Sequence, residues 1–331
     1  MGTDNKYMVA TRCYTFNHAP YIEQTLKGFA MQETTFPVVY CIVDDASTDG
    51  EQRVLREWAD KNLSMCEKSV SCIRKEEYGE VMVSHYKENK NVIFVIILLK
   101  ENHYKQKKSK LQYVSEWLNN SKYHALCEGD DYWTDPYKLQ IQVSFLENHI
   151  DYSICSHRIL KYDEDTKVYY EDRLEKLFKD KQGVDYTNRS KIWLSETAST
   201  VYRREAVSEY ERYPGKTRDN VRTYFILKKG KGFCLSSKMS VYRQHSGGIF
   251  SKQSVNSRLL DGSYLALKEL YEYEHSTDAR VLYYRCYAYT FLSSRGKIFF
   301  SEKFNIFKFL SLIYYIPSIF FGVHPVYKKI I

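Results

Sequence analysis

Six prolines and 14 glycines among 331 residues are too few for a collagen-like or low-complexity chain. None of the eight cysteines (Cys13, Cys41, Cys66, Cys72, Cys127, Cys155, Cys234 and Cys286) stands in Cys-x-x-Cys spacing. Several fall inside apolar runs, so they read as buried reduced thiols rather than disulfides or zinc ligands. Residues 1–6 are polar and lack the apolar segment of a secretory signal, which makes the cytoplasm the expected location. No internal repeat is visible, and no DNA- or RNA-reading motif accompanies the basic residues.

What the chain does contain is ordinary in amount and unusual in kind. Hydrophobic residues at 44% and charged residues at 27% exclude global disorder. Aromatic residues make up 16%, with 31 Tyr, 17 Phe and 4 Trp, enough to build a core or line a site for flat or sugar-like ligands. Lys plus Arg exceed Asp plus Glu by 49 to 41, a net +8 that favours anionic partners. The length fits one large α/β domain and an appendage.

The first half alternates strand and helix patterns. Residues 7–13 are a short apolar run, and 21–32 place Ile22, Leu26 and Phe29 on one helical face. Residues 36–43 (FPVVYCIV) and 92–99 (VIFVIILL) read as strands buried on both sides. Helices are expected over about 51–62, 106–119 and 136–149, and a strand over 123–127. This order implies an α/β fold with a mostly parallel central sheet, whose ligands bind beyond the carboxyl ends of the strands. Two acidic turns, Asp44-Asp45 and Glu128-Gly129-Asp130-Asp131, fall at such ends. Beyond residue 151 the pattern loosens. Residues 154–159, 232–235 and 239–244 read as short strands, 218–229 as a helix, and 258–294 as two helical pieces with a break near Ser276.

The second acidic turn has a definite chemistry. Mg²⁺ and Mn²⁺ prefer carboxylate oxygens, and a divalent cation neutralises the charge on a diphosphate. Adjacent carboxylates repel one another without a cation. The competing reading is a solvated turn before the helix that starts near Asp135-Pro136. Lys105, Lys107, Lys108 and Lys110 form either a solvated face or, through Lys108 or Lys110, a phosphate contact. Trp133 is either core or a floor for a sugar.

Four ordered segments carry a resemblance: Thr15-Phe16-Asn17-His18 with Tyr21-Ile22, residues 43–50 (VDDASTDG), residues 128–133 (EGDDYW) and residues 241–248 (VYRQHSGG). Over roughly residues 6–250 the chain resembles a family-2 glycosyltransferase of the GT-A fold. The resemblance implies an inverting transfer from a UDP- or GDP-sugar to a saccharide or lipid-linked acceptor, in cell-surface polysaccharide synthesis, with Mn²⁺ or Mg²⁺. It implies Asp130 as metal ligand, with Glu128, Asp131 and His245 beside the metal or phosphates. It places Thr15, Asn17, Asp45 and Lys110 around the nucleotide and Trp133 near the acceptor. Asp219 becomes the catalytic base and Glu196 the reserve candidate. The competing role for Asp219 is that of a helix cap. Two rival functions stand beside the transferase. A nucleotidyltransferase should carry a Gly-rich first loop, where residues 11–19 have no glycine. A nucleotide-sugar binder would keep the pocket without turnover.

Residues 1–250 are thus expected to form the GT-A domain and 251–331 a helical region ending in an apolar, basic tail. Residues 309–323 (FLSLIYYIPSIFFGV) are interrupted by Pro317 and fall short of the ~20 that span a bilayer. Residues 295–331 hold six Lys or Arg and one acid. This fits either an interfacial segment over 303–331, resting on an anionic inner leaflet, or a packed final helix.

Overall fold

Strand β2 (Val38–Asp44) is buried along its whole length in the computed structural model of the chain. The structure describes residues 5–65, 71–171, 174–190, 194–248, 263–293, 306, 308–310 and 312–313. Alternate β2 side chains feed two cores, as the two-residue period of a strand requires. Val38, Tyr40 and Ile42 join one cluster with Leu26 and Phe29 of α1 (Ile22–Ala30) and Leu55 of α2 (Glu51–Asn62). Val39, Cys41 and Val43 join the other with Val114, Trp117 and Leu118 of α3 (Leu111–Asn119). A sheet covered on both faces has no use for polar alternation, which is why the sequence there is continuously apolar.

The sheet has 12 strands. At its centre β6 (Ser121–Leu126), β1 (Tyr7–Thr15), β2 and β5 (Asn89–Leu99) run parallel in that order. A hairpin, β3 (Ser71–Glu76) and β4 (Gly79–Tyr86), extends one flank antiparallel. The other flank carries β8 (Tyr152–Asp163), β10 (Gly183–Tyr186), β11 (Val201–Arg203) and β12 (Lys231–Gln244). Short β7 (Tyr132–Trp133) pairs with β12, and β9 (Val168–Glu171) with β8. Helices α4 (Lys138–Asn148), α5 (Glu175–Phe178) and α6 (Asp219–Lys229) complete this part, followed by α7 (Leu265–Glu274) and α8 (Thr277–Ser293). The α/β class with a parallel centre is as expected.

Three local expectations need correction. Residues 232–235 and 239–244 are one strand, β12, whose register against β8 shifts three times; the irregularities interrupt the pattern without ending the pairing. Helix α3 starts at Leu111 rather than near 106, because residues 101–110 form a loop fastened to Asp45. Cys72 is exposed and Cys286 half-buried, whereas Cys13, Cys41, Cys127, Cys155 and Cys234 are buried and free; Cys66 lies outside the described residues. The break near Ser276 falls between α7 and α8, with His275 in the left-handed region at φ 50°.

Candidate functional site

All four parallel strands present their carboxyl ends at one edge, where the loops after Thr15, Asp44, Leu99 and Leu126 converge. Glu51, the first residue of α2, ties the first two loops together. Its carboxylate accepts bonds from the Thr15 hydroxyl, the His18 amide (2.8 Å) and the Ser47 hydroxyl (2.9 Å). Burial pushes the Glu51 carboxyl up to about 7, although these donors oppose the shift. Asn17, at φ 57°, accepts from the Thr48 amide (2.8 Å), while its own amide donates to Ser47 Oγ (2.8 Å). Asp44 is buried and accepts from the Ser47 amide (3.1 Å) and Gln52 Nε2 (2.6 Å). Thr15 and Asn17 therefore shape the loops.

This scaffold brings His18 to the acidic turn. His18, Asp130 and His245 each offer a ligand atom, all within 4.8 Å of one another. His245 Nε2 lies 3.1 Å and His18 Nε2 3.7 Å from Asp130 Oδ2. Burial lowers the His18 pKa, with Asp130 opposing, which favours the neutral form of imidazole that coordinates a metal. Burial would raise the Asp130 pKa, but the hydrogen bond from His245 outweighs it and holds the carboxyl low. Two imidazoles and a carboxylate form a donor set that suits Mn²⁺ and related divalent ions.

Arg243, near the end of β12, fixes this cluster from behind. Its amide donates to Asp131 Oδ1 (3.0 Å), its Nε to the Asp130 carbonyl (3.0 Å), and its other nitrogens to Glu164 and Gln24. The guanidinium sits over Tyr21, Tyr132 and Tyr162 at 4.7, 5.2 and 5.4 Å from their ring centroids. Two expectations change here. Asp131 is buried, with its carboxylate turned inward to the Arg243 amide, and burial pushes its pKa well up; it supports the turn and His18 takes its place. Trp133 is 1% exposed, with its indole N–H on the Ala198 carbonyl (2.9 Å) and Lys138 Nζ 4.1 Å above the ring. A side chain so enclosed belongs to the core and offers no floor to an acceptor.

Asp45 and Lys110, expected separately around the nucleotide, form an ion pair. Asp45 is buried and accepts from the His103 amide (2.7 Å), the Tyr104 amide (3.0 Å) and Lys110 Nζ (2.9 Å). Lys110 also stands 5.0 Å from the Tyr14 ring centroid. Asp45 thus organises the 101–110 loop through bonds to its backbone.

Across the acidic turn lie the remaining acids. Asp219 opens α6, but no side-chain cap bond forms there; its oxygens take the Thr197 hydroxyl (3.1 Å) and Arg222 (3.0 Å). Its side chain is 62% exposed. The surrounding loops desolvate it in part, yet Arg222 and Thr197 leave the Asp219 pKa below its ordinary value. Glu128 has its pKa raised to about 7 by burial and by Asp219 and Asp130, with Arg12 opposing. Glu196 is exposed, one residue before the Thr197 that holds Asp219.

Sequence reasoning missed His18, Glu51 and Arg243 as members of the site. His18 stands within the Thr15–His18 motif, and Arg243 two residues before His245. Glu51 carried no signal beyond its place at a helix start.

No protein-family model matches the chain. It is similar to the uncharacterized protein Rv1520 of Mycobacterium tuberculosis, 29% identical over 255 residues, covering 74% of this chain and 61% of the relative. The uncharacterized protein Mb1547 of Mycobacterium bovis matches with the same 29% identity and the same 61% of its length. Among solved structures, S. aureus TarS 1-349 in complex with UDP superposes with a TM-score of 0.54 at 13% identity, over 92% of this chain and 78% of that one. The mannosyltransferase PcManGT from Pyrobaculum calidifontis, in complex with GDP-Man and Mn²⁺, gives 0.50 at 13% identity, over 99% and 84%. At such identities the likeness is one of fold: this chain shares the mixed α/β architecture of those two proteins.

Proposed function

We propose that the chain is a metal-dependent glycosyltransferase. It would move a sugar from a UDP- or GDP-sugar to a saccharide or lipid-linked acceptor, with inversion, in cell-surface polysaccharide synthesis. The observation that carries this reading is the His18, Asp130 and His245 cluster at the carboxyl edge of the parallel strands. His18, Asp130 and His245 would hold Mn²⁺ or Mg²⁺, which neutralises a departing diphosphate. Asp45 acts on the nucleotide by holding the His103 and Tyr104 backbone amides, with Lys110 at the same wall. Tyr14 and the exposed Tyr104 offer ring faces beside it.

Asp219 takes the proton of the acceptor hydroxyl while that oxygen attacks the anomeric carbon and the nucleoside diphosphate leaves from the opposite face. Arg222 keeps Asp219 ionised at neutral pH, so it is always ready to accept. The same bond makes it a weak base, so its contribution should sit toward the lower end of the usual ~10²–10⁴-fold range.

The test combines binding and turnover. UDP and GDP are compared by thermal shift with and without Mn²⁺, because a bound nucleotide stabilises the fold by mass action. Donor turnover is then measured for Asp219→Asn, which should retain nucleotide affinity and lose about a hundredfold or more in rate. Mn²⁺-independent nucleotide binding in the wild type, or near-normal transfer by the variant, defeats the corresponding half of the proposal.

A further inference from the structure

Below the Asp219 edge, between α3, β6, β11 and α6, lies a recess of about 30 Å³. Its walls include Leu111, Leu118, Leu126 and Val207, and its polar lining is unusual. Arg12 and Arg222 both face it, together with His124, Tyr202 and Tyr210; the one acid is the exposed Glu211. Arg222 is 5% exposed and already bonded to Asp219. Arg12 forms no ion pair with a described carboxylate, and its Nε is buried without a partner among the described residues. Arg12 is half-buried, its guanidinium cannot shed its charge, and a buried N–H left without an acceptor is costly.

We propose that this recess is an oxyanion site, and that the anion it receives is a phosphate-class group carried by the acceptor. The second half rests on the transferase reading; the first does not. Size supports the class of ligand. The volume equals roughly two or three water positions at ~10–15 Å³ each, which leaves room for two or three oxygens of an oxyanion and excludes a sugar ring. Chemistry supports it as well. The planar fork of Arg12 suits a tetrahedral or carboxylate oxyanion, and apolar walls strengthen the attraction. The Tyr202 and Tyr210 hydroxyls lie within electrostatic range of Arg12 and can donate further bonds.

Location gives the site its use. Arg222 both lines the recess and bonds Asp219 at 3.0 Å, so a group seated there lies one side chain away from the proposed base. An acceptor anchored there by a phosphate would present a nearby hydroxyl to Asp219. The acceptor class is therefore a phosphate-bearing sugar or polyol, and a neutral glycan lacks the group that fills the recess.

The experiment uses the full chain with ¹⁵N-labelled arginine, in EDTA so that the His18–Asp130–His245 cluster holds no metal. Inorganic phosphate, glycerol 1-phosphate and glycerol are titrated separately while the arginine Nε–H resonances are followed. Arg12→Lys and Arg222→Lys assign the two signals. Both should move saturably with the two phosphates and stay still with glycerol, and Arg12→Gln should weaken phosphate at least about tenfold. Arg12 and Arg222 signals that do not respond to phosphate overturn the site, and because this is read on the wild type it does not depend on the fold of a variant. Tighter binding of glycerol 1-phosphate than of inorganic phosphate supports an acceptor-borne group; equal or weaker binding overturns that half. A parallel UDP titration with Mn²⁺ reports the donor site alone. Loss of that binding with intact phosphate shifts would defeat the transferase reading and leave the oxyanion site standing.

Discussion

Gly129 stands where no side chain fits. A Cβ there would lie 2.1 Å from Thr15 Oγ1 and 2.5 Å from Thr15 Cβ, with His18 Nδ1 at 3.2 Å. Gly129→Ala must therefore push Thr15 off Glu51 and His18 off the cluster. Overpacking of this kind costs ~1–3 kcal/mol, readable as a lower urea midpoint, and Mn²⁺ affinity should fall with it. An alanine variant with wild-type Mn²⁺ affinity would show that His18 is not needed as a ligand. A second residue-scale effect concerns Lys138, fully buried, whose ammonium reaches Gln142 Oε1 (2.8 Å) and the Trp133 ring and, among the described residues, no carboxylate. Burial lowers its pKa to about 7, against ~10.4 in the unfolded chain. Between those values the unfolded state binds more protons than the native one, so stability rises with pH across that window. Lys138→Met should abolish the rise and stabilise the protein at pH 7 and below by ~1–3 kcal/mol, measured by urea denaturation from pH 6 to 10. An unchanged pH slope would mean that Lys138 is charged in the native state.

At the scale of elements, two devices decide whether the strand ends form a site. Glu51 joins the β1 and β2 loops, and burial holds its carboxyl at about 7 against the usual carboxylate range. A raised acid favours the native state while protonated, so this contribution is complete below ~4.3 and is lost as pH rises through 7. Glu51→Gln should flatten the decline in stability between pH 5 and 7.5 relative to wild type. Parallel curves for the two proteins would assign the proton elsewhere. The second device is the end of β12, which Arg243 pins to the acidic turn through three tyrosines, Glu164 and Gln24. Lysine has neither the fork nor the flat face. Arg243→Lys should lower Mn²⁺ affinity ~10–100-fold, the usual effect of losing a group that orients a ligand. Calorimetric titration of Mn²⁺ checks this, with circular dichroism as the control for folding.

At the scale of the whole molecule, the helical region raises the question of what covers it. Among the described residues, no helix is long and apolar enough to cross a membrane. Of the expected tail segment 303–331, residues 303–305, 307, 311 and 314–331 lie outside the described residues. Within the rest, Lys308 is buried 5.2 Å from the Tyr287 ring centroid, and Leu312 packs on the Tyr264, Tyr283 and Tyr287 cluster. Ile306, Phe309, Leu310 and Ile313 point away and are exposed. One face of this turn is therefore packed, as a final helix would be, and the other is the exposed apolar surface that an interfacial segment would need. Deleting 306–331 should lower the melting temperature by uncovering the tyrosines. It should also abolish sedimentation with vesicles rich in anionic lipid. Equal sedimentation of the truncated and full chains would exclude the tail as the contact.

The sequence alone determined the strands that are buried on both faces, because continuous Val, Ile and Phe runs have no other stable place. It also determined that acids stand at their carboxyl ends, since the turn residues follow each run directly. Asp130 and His245 were legible as partners through their motifs; that Asp45 and Lys110 pair was decided by the tertiary structure. Only tertiary structure decided that His18 rather than Asp131 completes the cluster. The choice depends on which way each side chain turns, and that is fixed by Glu51 and by the Arg243 amide, 33 and 112 positions away. Trp133 followed the same logic: a tryptophan beside an acidic turn fits a core or a ligand floor equally well. The Ala198 carbonyl, 65 residues distant, is what draws its indole N–H into the core.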